Sequence, residues 1–150
     1  MKFVIQRVER ASVAVEGKTV GEIGRGFLVL VGVCDSDTFE IADKMLSKML
    51  RLRIFADEND KTNLDLKSVE GGLLIISQFT LYADCRKGNR PSFTRAGKPE
   101  FAREMYEYIL KKCSEEVSCV ASGVFGEHMD ISLMNSGPFT IVLDSDEICR

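Results

Sequence analysis

The chain has 150 residues, 45% of them hydrophobic, and a formal net charge of −3. That size and composition suit one domain with a real core and exclude a disordered chain. No apolar run approaches the roughly 20 residues that span a bilayer, and a mildly acidic average argues against a general nucleic-acid binder unless a local basic stretch overrules it.

The opening Met1-Lys2-Phe3-Val4-Ile5-Gln6-Arg7 reads as a strand and lacks the apolar segment of a secretory signal, so a cytoplasmic protein is expected. Residues 2–8 and 12–15 alternate as strands, Glu16-Gly17-Lys18 makes a turn, and 19–23 form another short strand. Gly24-Arg25-Gly26 then turns into the continuous apolar run Phe27–Val33, a pattern that suits a strand buried on both faces. Asp37 with Glu40 resembles a capping box. Ile41, Met45, Met49 and Leu52 follow at helical spacing, widened by Ala42, Leu46 and Leu50, and this Met-rich stripe reads as core packing. Residues 56–63 read as a polar loop. Gly71-Gly72 opens the apolar run Leu73–Ile76, which leads into Ser77-Gln78-Phe79-Thr80-Leu81. A second helix starts near Pro99, with Ala102, Met105, Ile109 and Cys113 on one face. Strands are expected at 117–121, 129–134 and 139–143. Strand runs flanking two separated helices predict a single α+β domain over 1–150 rather than a regular βαβ alternation.

Much familiar chemistry is missing. The five cysteines, Cys34, Cys85, Cys113, Cys119 and Cys149, are odd in number and form no CxxC pair, which points to free thiols in a reducing compartment. His128 is the lone histidine, so any Ser-His-Asp or Cys-His arrangement must use it. There is no G-x-S-x-G elbow, Walker loop or dinucleotide fingerprint. No metal-ligand spacing is evident, so neither a metal nor a cofactor is expected.

Three segments stand out. Ser77, Gln78 and Thr80 follow four apolar residues, as at a strand end that opens into a pocket, where their amide and hydroxyl groups bond a ligand or simply satisfy one another. Gly137-Pro138 lies between two strand-like runs and signals a turn, whose peptide bond is ordinarily trans. Arg86, Lys87, Arg90, Arg95 and Lys98 cluster with no acid between Asp84 and Glu100. That stretch is either a solvated loop or a phosphate-binding one, with Phe93 available to stack or pack.

Together these segments resemble the D-aminoacyl-tRNA deacylase family. The resemblance runs through Val4-Ile5-Gln6-Arg7-Val8, Gly21-Glu22-Ile23-Gly24, Leu52-Arg53-Ile54-Phe55, Ser77-Gln78-Phe79-Thr80-Leu81-Tyr82, Cys85-Arg86-Lys87-Gly88, Arg90-Pro91-Ser92-Phe93, Gly123-Val124-Phe125-Gly126 and Gly137-Pro138, in order. It implies an α+β fold with a mainly antiparallel, barrel-like sheet and two main helices. It implies a homodimer with active sites at the interface, acting on D-aminoacyl-tRNA. It implies that Gly137-Pro138 is cis and reaches into the partner's pocket, where its carbonyls reject L side chains and let D side chains point to solvent. Glycine partly escapes such a filter, which makes mischarged glycyl-tRNA(Ala) an expected substrate. By the same resemblance, Ser77, Gln78, Phe79 and Thr80 line the catalytic pocket, Phe125 and Met129 hold the terminal adenine, and Arg86, Lys87 and Arg90 contact tRNA. The family commonly has Val where this chain has Phe139, which leaves the packing beneath Gly-Pro open. Two mechanisms are compatible: Thr80 as nucleophile, or water assisted by the ribose 2′-hydroxyl with backbone amides near Phe79 and Thr80 holding the oxyanion. The second suits a chain without a triad. The competing functions are a non-catalytic tRNA-binding dimer and an achiral editing deacylase.

Overall fold

The computed structural model describes all 150 residues. In chain order the elements are β1 (Lys2–Val15), β2 (Lys18–Ile23), β3 (Gly26–Gly32), α1 (Phe39–Leu50), β4 (Phe55–Ala56), β5 (Thr62–Leu64), β6 (Gly72–Ser77), α2 (Pro99–Glu116), β7 (Val120–Ser122), β8 (Asp130–Asp144) and α3 (Ser145–Ile148). A single 3-10 turn, Phe79–Tyr82, follows β6.

β1 is the spine. Along one edge its first half pairs antiparallel with β3, from Lys2↔Gly32 to Val8↔Gly26, and its second half pairs with β2. Along the other edge it pairs with β8. β6 adds to β3 in parallel, and β7 adds to β6 in parallel. The sheet is therefore mixed, because the α1 crossover returns the chain beside β3 in the same direction. It nearly closes on itself: a Cβ on Gly21 of β2 would lie 2.8 Å from the Ser122 carbonyl oxygen of β7. Only glycine permits that approach.

The continuous apolar runs follow from this placement. Phe27, Val29, Leu73 and Ile75 face α1 and α2, together with Phe3 and Ile5 of β1, and pack on Met45, Met49, Met105 and Ile109. Leu28, Leu74 and Ile76 face the opposite way into a second core with Val8 and Val13. Each fully buried side chain of this kind contributes about 1.5–3 kcal/mol against exposure. The α1 stripe is core, with Ala42, Met45, Leu46 and Met49 buried. On α2, Met105, Ile109 and Cys113 are buried and Ala102 is half-buried.

Several expectations need correction. The capping box at Asp37 does not form. Thr38 is the cap, its Oγ1 accepting from Ile41 N at 3.3 Å. Asp37 is instead buried, where its Oδ1 accepts from the Met1 ammonium at 2.6 Å and its Oδ2 from Cys34 N at 2.8 Å. Ser145 Oγ takes a second bond from the same ammonium. A charge supplied by the chain's first atom is invisible to a capping pattern.

Residues 56–63 are not wholly loop, because β4 and β5 form a hairpin closed by Asp57, whose Oδ1 accepts from Asn59 N and Lys61 N. The paired runs 2–8 with 12–15, and 129–134 with 139–143, are each one long strand. A third helix, α3, begins at the Asp144 cap. All five cysteines are free. No helix is long and apolar enough to cross a membrane.

Candidate active site

β6 ends at Ser77, and Gln78 N donates to Val31 O on β3 at 2.7 Å, so the next residues leave from a fixed point. The chain then winds through the 3-10 turn, with Leu81 N bonded to Gln78 O and Ala83 N to Thr80 O. Tyr82 is buried beneath the turn while Thr80 is exposed and Phe79 is 54% exposed. Gln78 Nε2 donates to Thr80 Oγ1. As the first residues of the turn, Phe79 and Thr80 have no acceptor within it for their N–H groups, which leaves two donors free for a ligand.

The basic loop springs from the same place. Asp84 and Ser92 exchange backbone hydrogen bonds of 2.7 and 3.0 Å and close the loop between them. Phe93 then returns edge-on to Phe79, with ring centroids 5.0 Å apart. Arg86 is forked onto Asp84, Nε to Oδ1 at 2.9 Å and Nη2 to Oδ2 at 2.6 Å. The guanidinium and the Arg86 backbone N–H hold the Asp84 carboxyl well below the usual carboxylate range. Lys87 and Arg90 are exposed and make no ion pair in the chain.

A second wall comes from α2 and the segment after β7. Tyr106 Oη donates to Ile75 O at 2.7 Å and ties α2 to β6, and burial pushes its hydroxyl up to about 12. Phe125 packs at 6.0 Å from the Tyr106 ring, under the Arg103 guanidinium at 4.7 Å. The Met129 sulfur lies against Gly123, beside Ile76. Phe125 thus packs into the core that holds Ile75, and Met129 into the opposite core that holds Ile76, on either face of the end of β6. His128 lies apart from this chemistry: its side chain is 91% exposed and its nearest charged neighbour is Asp130 at 3.4 Å. No three His, Cys, Asp or Glu side chains are grouped as metal ligands. A cleft between α1 and α2 shares no residue with these segments.

Gly137-Pro138 is elsewhere in the chain. The peptide bond between them is cis. The β1–β8 ladder runs to Gln6↔Thr140 and resumes at Val8↔Asn135, so Ser136–Phe139 protrude opposite Arg7 alone. Arg7 grips this protrusion: Nε and Nη2 donate to Ser136 O at 2.9 and 2.7 Å, and Nη1 donates to Ile54 O at 2.6 Å. The Phe139 ring lies under the same guanidinium at 4.5 Å, which is how the chain packs the residue beneath Gly-Pro. The registers Ser77↔Val31, Phe3↔Val31 and Arg7↔Phe27 place the protrusion four residues along and three strands across from Ser77. Measured over the sheet, that is about 13 Å along and about 14 Å across. The chain therefore brings Ser77–Thr80 and the basic loop together, sets Phe125 and Met129 in the two cores beside Ile75 and Ile76, and does not bring its own Gly137-Pro138 to Ser77–Thr80.

Sequence reasoning gave Arg7 and Tyr106 no role at the site. Arg7 had a legible signal, since it continues the inward parity of Phe3 and Ile5 with a charge where an apolar residue belongs. Tyr106 had none, because its partner is a backbone carbonyl remote in sequence.

The family model for D-Tyr-tRNA(Tyr) deacylase matches residues 4–144. A D-aminoacyl-tRNA deacylase of Clostridium novyi is 51% identical over 145 residues, covering 97% of each chain. One from Haemophilus influenzae is 51% identical over 144 residues, covering 96% of this chain and 99% of its own. Among solved structures, a c-Myc DNA unwinding element binding protein superposes with a TM-score of 0.91 at 38% identity, covering 96% of this chain and 98% of its own. A probable eukaryotic D-amino acid tRNA deacylase matches with a TM-score of 0.80 at 18% identity over 95% and 97%, which shows a shared fold.

Proposed function

The chain belongs to the D-Tyr-tRNA(Tyr) deacylase family, and we propose that it hydrolyses the ester joining a D-amino acid to tRNA. The observation that carries this reading is the convergence at the end of β6. Free amides at Phe79 and Thr80 and the loop that carries the Lys87 and Arg90 cations follow directly from it, and Phe125 and Met129 flank the preceding Ile75 and Ile76. They match the parts of the substrate: a developing oxyanion, a terminal adenine and a phosphate backbone. The substrate places the protein in the cytoplasm, where aminoacyl-tRNA is made and used.

Stereochemistry is assigned to Gly137-Pro138 of a second copy. Three observations support this. The protrusion is exposed, it lies too far from its own chain's Ser77–Thr80 to line that pocket, and it sits on β8, an edge strand that pairs only with β1. β8 also exposes Leu133, Met134 and Val142, the last at 62%. A long apolar edge of this kind invites pairing with another chain. A two-fold dimer then delivers each protrusion to its partner's pocket. The protrusion's backbone turns away L side chains, D side chains point outward, and glycine passes, so glycyl-tRNA(Ala) is a second substrate.

An aminoacyl ester needs only an oriented water and a held oxyanion. Water adds its oxygen to the carbonyl carbon, the Phe79 and Thr80 amides take the oxyanion, and the bond to the ribose 3′-oxygen breaks. The 2′-hydroxyl of the terminal adenosine assists the water, and the released proton goes to the departing 3′-oxygen. Thr80 is a poor nucleophile here: its hydroxyl accepts from Gln78, and no histidine or carboxylate contacts it. Thr80→Ala is expected to keep turnover within about tenfold, whereas a 2′-deoxy terminal adenosine loses about 10²–10⁴-fold, the span of a lost acid–base group. Single-turnover hydrolysis measures both. Normal turnover of the 2′-deoxy substrate contradicts the mechanism.

A further inference from the structure

We propose that Asn135 is a positioning residue that fixes the Gly137-Pro138 protrusion and thereby sets discrimination between D and L esters. The proposal rests on the stereochemical reading above. Where the β1–β8 ladder lapses, one residue of β1 faces four of β8, so cross-strand backbone pairing does not hold the extra residues. Side chains must hold them. Arg7 hydrogen-bonds only the leading leg, through Ser136 O, and meets the trailing leg only through the Phe139 ring.

Asn135 spans the base and holds both legs. Its Oδ1 accepts from Phe139 N at 2.6 Å. Its Nδ2 donates to Gln6 Oε1 and Thr140 Oγ1, each at 3.1 Å, with Phe139 O at 3.3 Å. One half-buried side chain therefore joins the leading leg, the trailing leg and β1. The job needs an acceptor and a two-proton donor on one short planar group. Among side chains of this length only asparagine supplies both. Aspartate keeps the acceptor, but it offers no donor and turns a carboxylate toward Gln6 Oε1 and the Phe139 carbonyl.

The two clamps are coupled. Phe139 N is held by Asn135, and the Phe139 ring lies 4.5 Å beneath the Arg7 guanidinium. Loss of the Asn135 bonds lets Phe139 move, and the Arg7 grip on Ser136 O loosens with it. A tip that wanders by about 1 Å is enough to change a reaction rate by about 10²-fold. The tip contributes only to rejection, so the L ester gains from the motion while the D ester does not.

The test compares wild type with Asn135→Ala and Asn135→Asp. It measures kcat/KM for D-tyrosyl-tRNA and L-tyrosyl-tRNA, and amide exchange at Phe139. The expected result is a D-to-L ratio lowered at least tenfold in both variants, D turnover within about threefold of wild type, and faster exchange at Phe139. An unchanged ratio in a folded variant overturns the proposal, and so does equal loss of both rates, which marks a merely structural role. Wild-type protein that hydrolyses neither ester sinks the catalytic reading instead, and Phe139 exchange then decides whether Asn135 fixes the protrusion. If neither variant folds, an unprotected Phe139 amide in wild-type protein overturns the assignment without them.

Discussion

Gly137 has φ of +134°, and a Cβ built there would lie 2.8 Å from Arg7 Nη2. Two independent constraints therefore require glycine at the tip: a backbone region that L residues rarely adopt, and the space taken by the guanidinium that holds Ser136. Gly137→Ala is expected to cost about 1–3 kcal/mol of stability from the backbone term. It also pushes Arg7 aside and lowers D-to-L discrimination. Chemical denaturation and paired ester assays measure the two effects, and a variant as selective and as stable as wild type contradicts the account. At this scale the sequence was legible where a residue's role follows from its neighbours. The Met45 and Met49 stripe, read as core packing, is core. It was opaque where partners are distant. Asp37 has the spacing of a cap, yet its partner is the Met1 ammonium. Asn135 looks like an ordinary turn residue until Gln6 and Thr140 are seen around it.

Among the elements, β8 carries the most consequence. Its two halves read as separate strands because Gly-Pro interrupts the pattern, but one long β1 partner keeps them collinear on either side of the protrusion. The parallel pairing of β6 with β3 was not legible either, since a continuous apolar run reports burial on both faces and says nothing of direction. The length and exposure of β8 lead to a prediction. Val142→Asp puts a charge on the most exposed apolar residue of this edge. It is expected to leave a folded monomer by light scattering and to abolish chiral selection, because each pocket then lacks the partner's protrusion. A monomer that still separates D from L contradicts the shared site.

For the molecule as a whole, the proposed function makes charge and its placement decide how tRNA is held. The net charge is −3, so the proposed function assigns binding to the local cations of the loop after β6. Their contributions are unequal. Lys87→Ala and Arg90→Ala should each lower the slope of log K against log salt by about 0.7–0.9, the value of one phosphate contact. Arg86→Ala should lower it less, because Asp84 already neutralises that side chain, and Asp84→Asn should tighten binding. The Asp84 carboxyl is depressed, so its pairing is fully present above the ordinary carboxylate value near about 4 and is lost only as pH falls through the lower folded value. The Arg86 effect should accordingly be flat across neutral pH. An Arg86 effect equal to that of Lys87 in filter-binding titrations would contradict this ranking.

The most direct test of the central claim is hydrolysis of D-tyrosyl-tRNA beside L-tyrosyl-tRNA by the purified protein with a chelator present. The account predicts rapid release of D-tyrosine and persistence of the L ester. Loss of both esters would mean that the Gly137-Pro138 filter fails, with Phe139 the first suspect; loss of neither would contradict the enzyme reading and leave a tRNA-binding dimer.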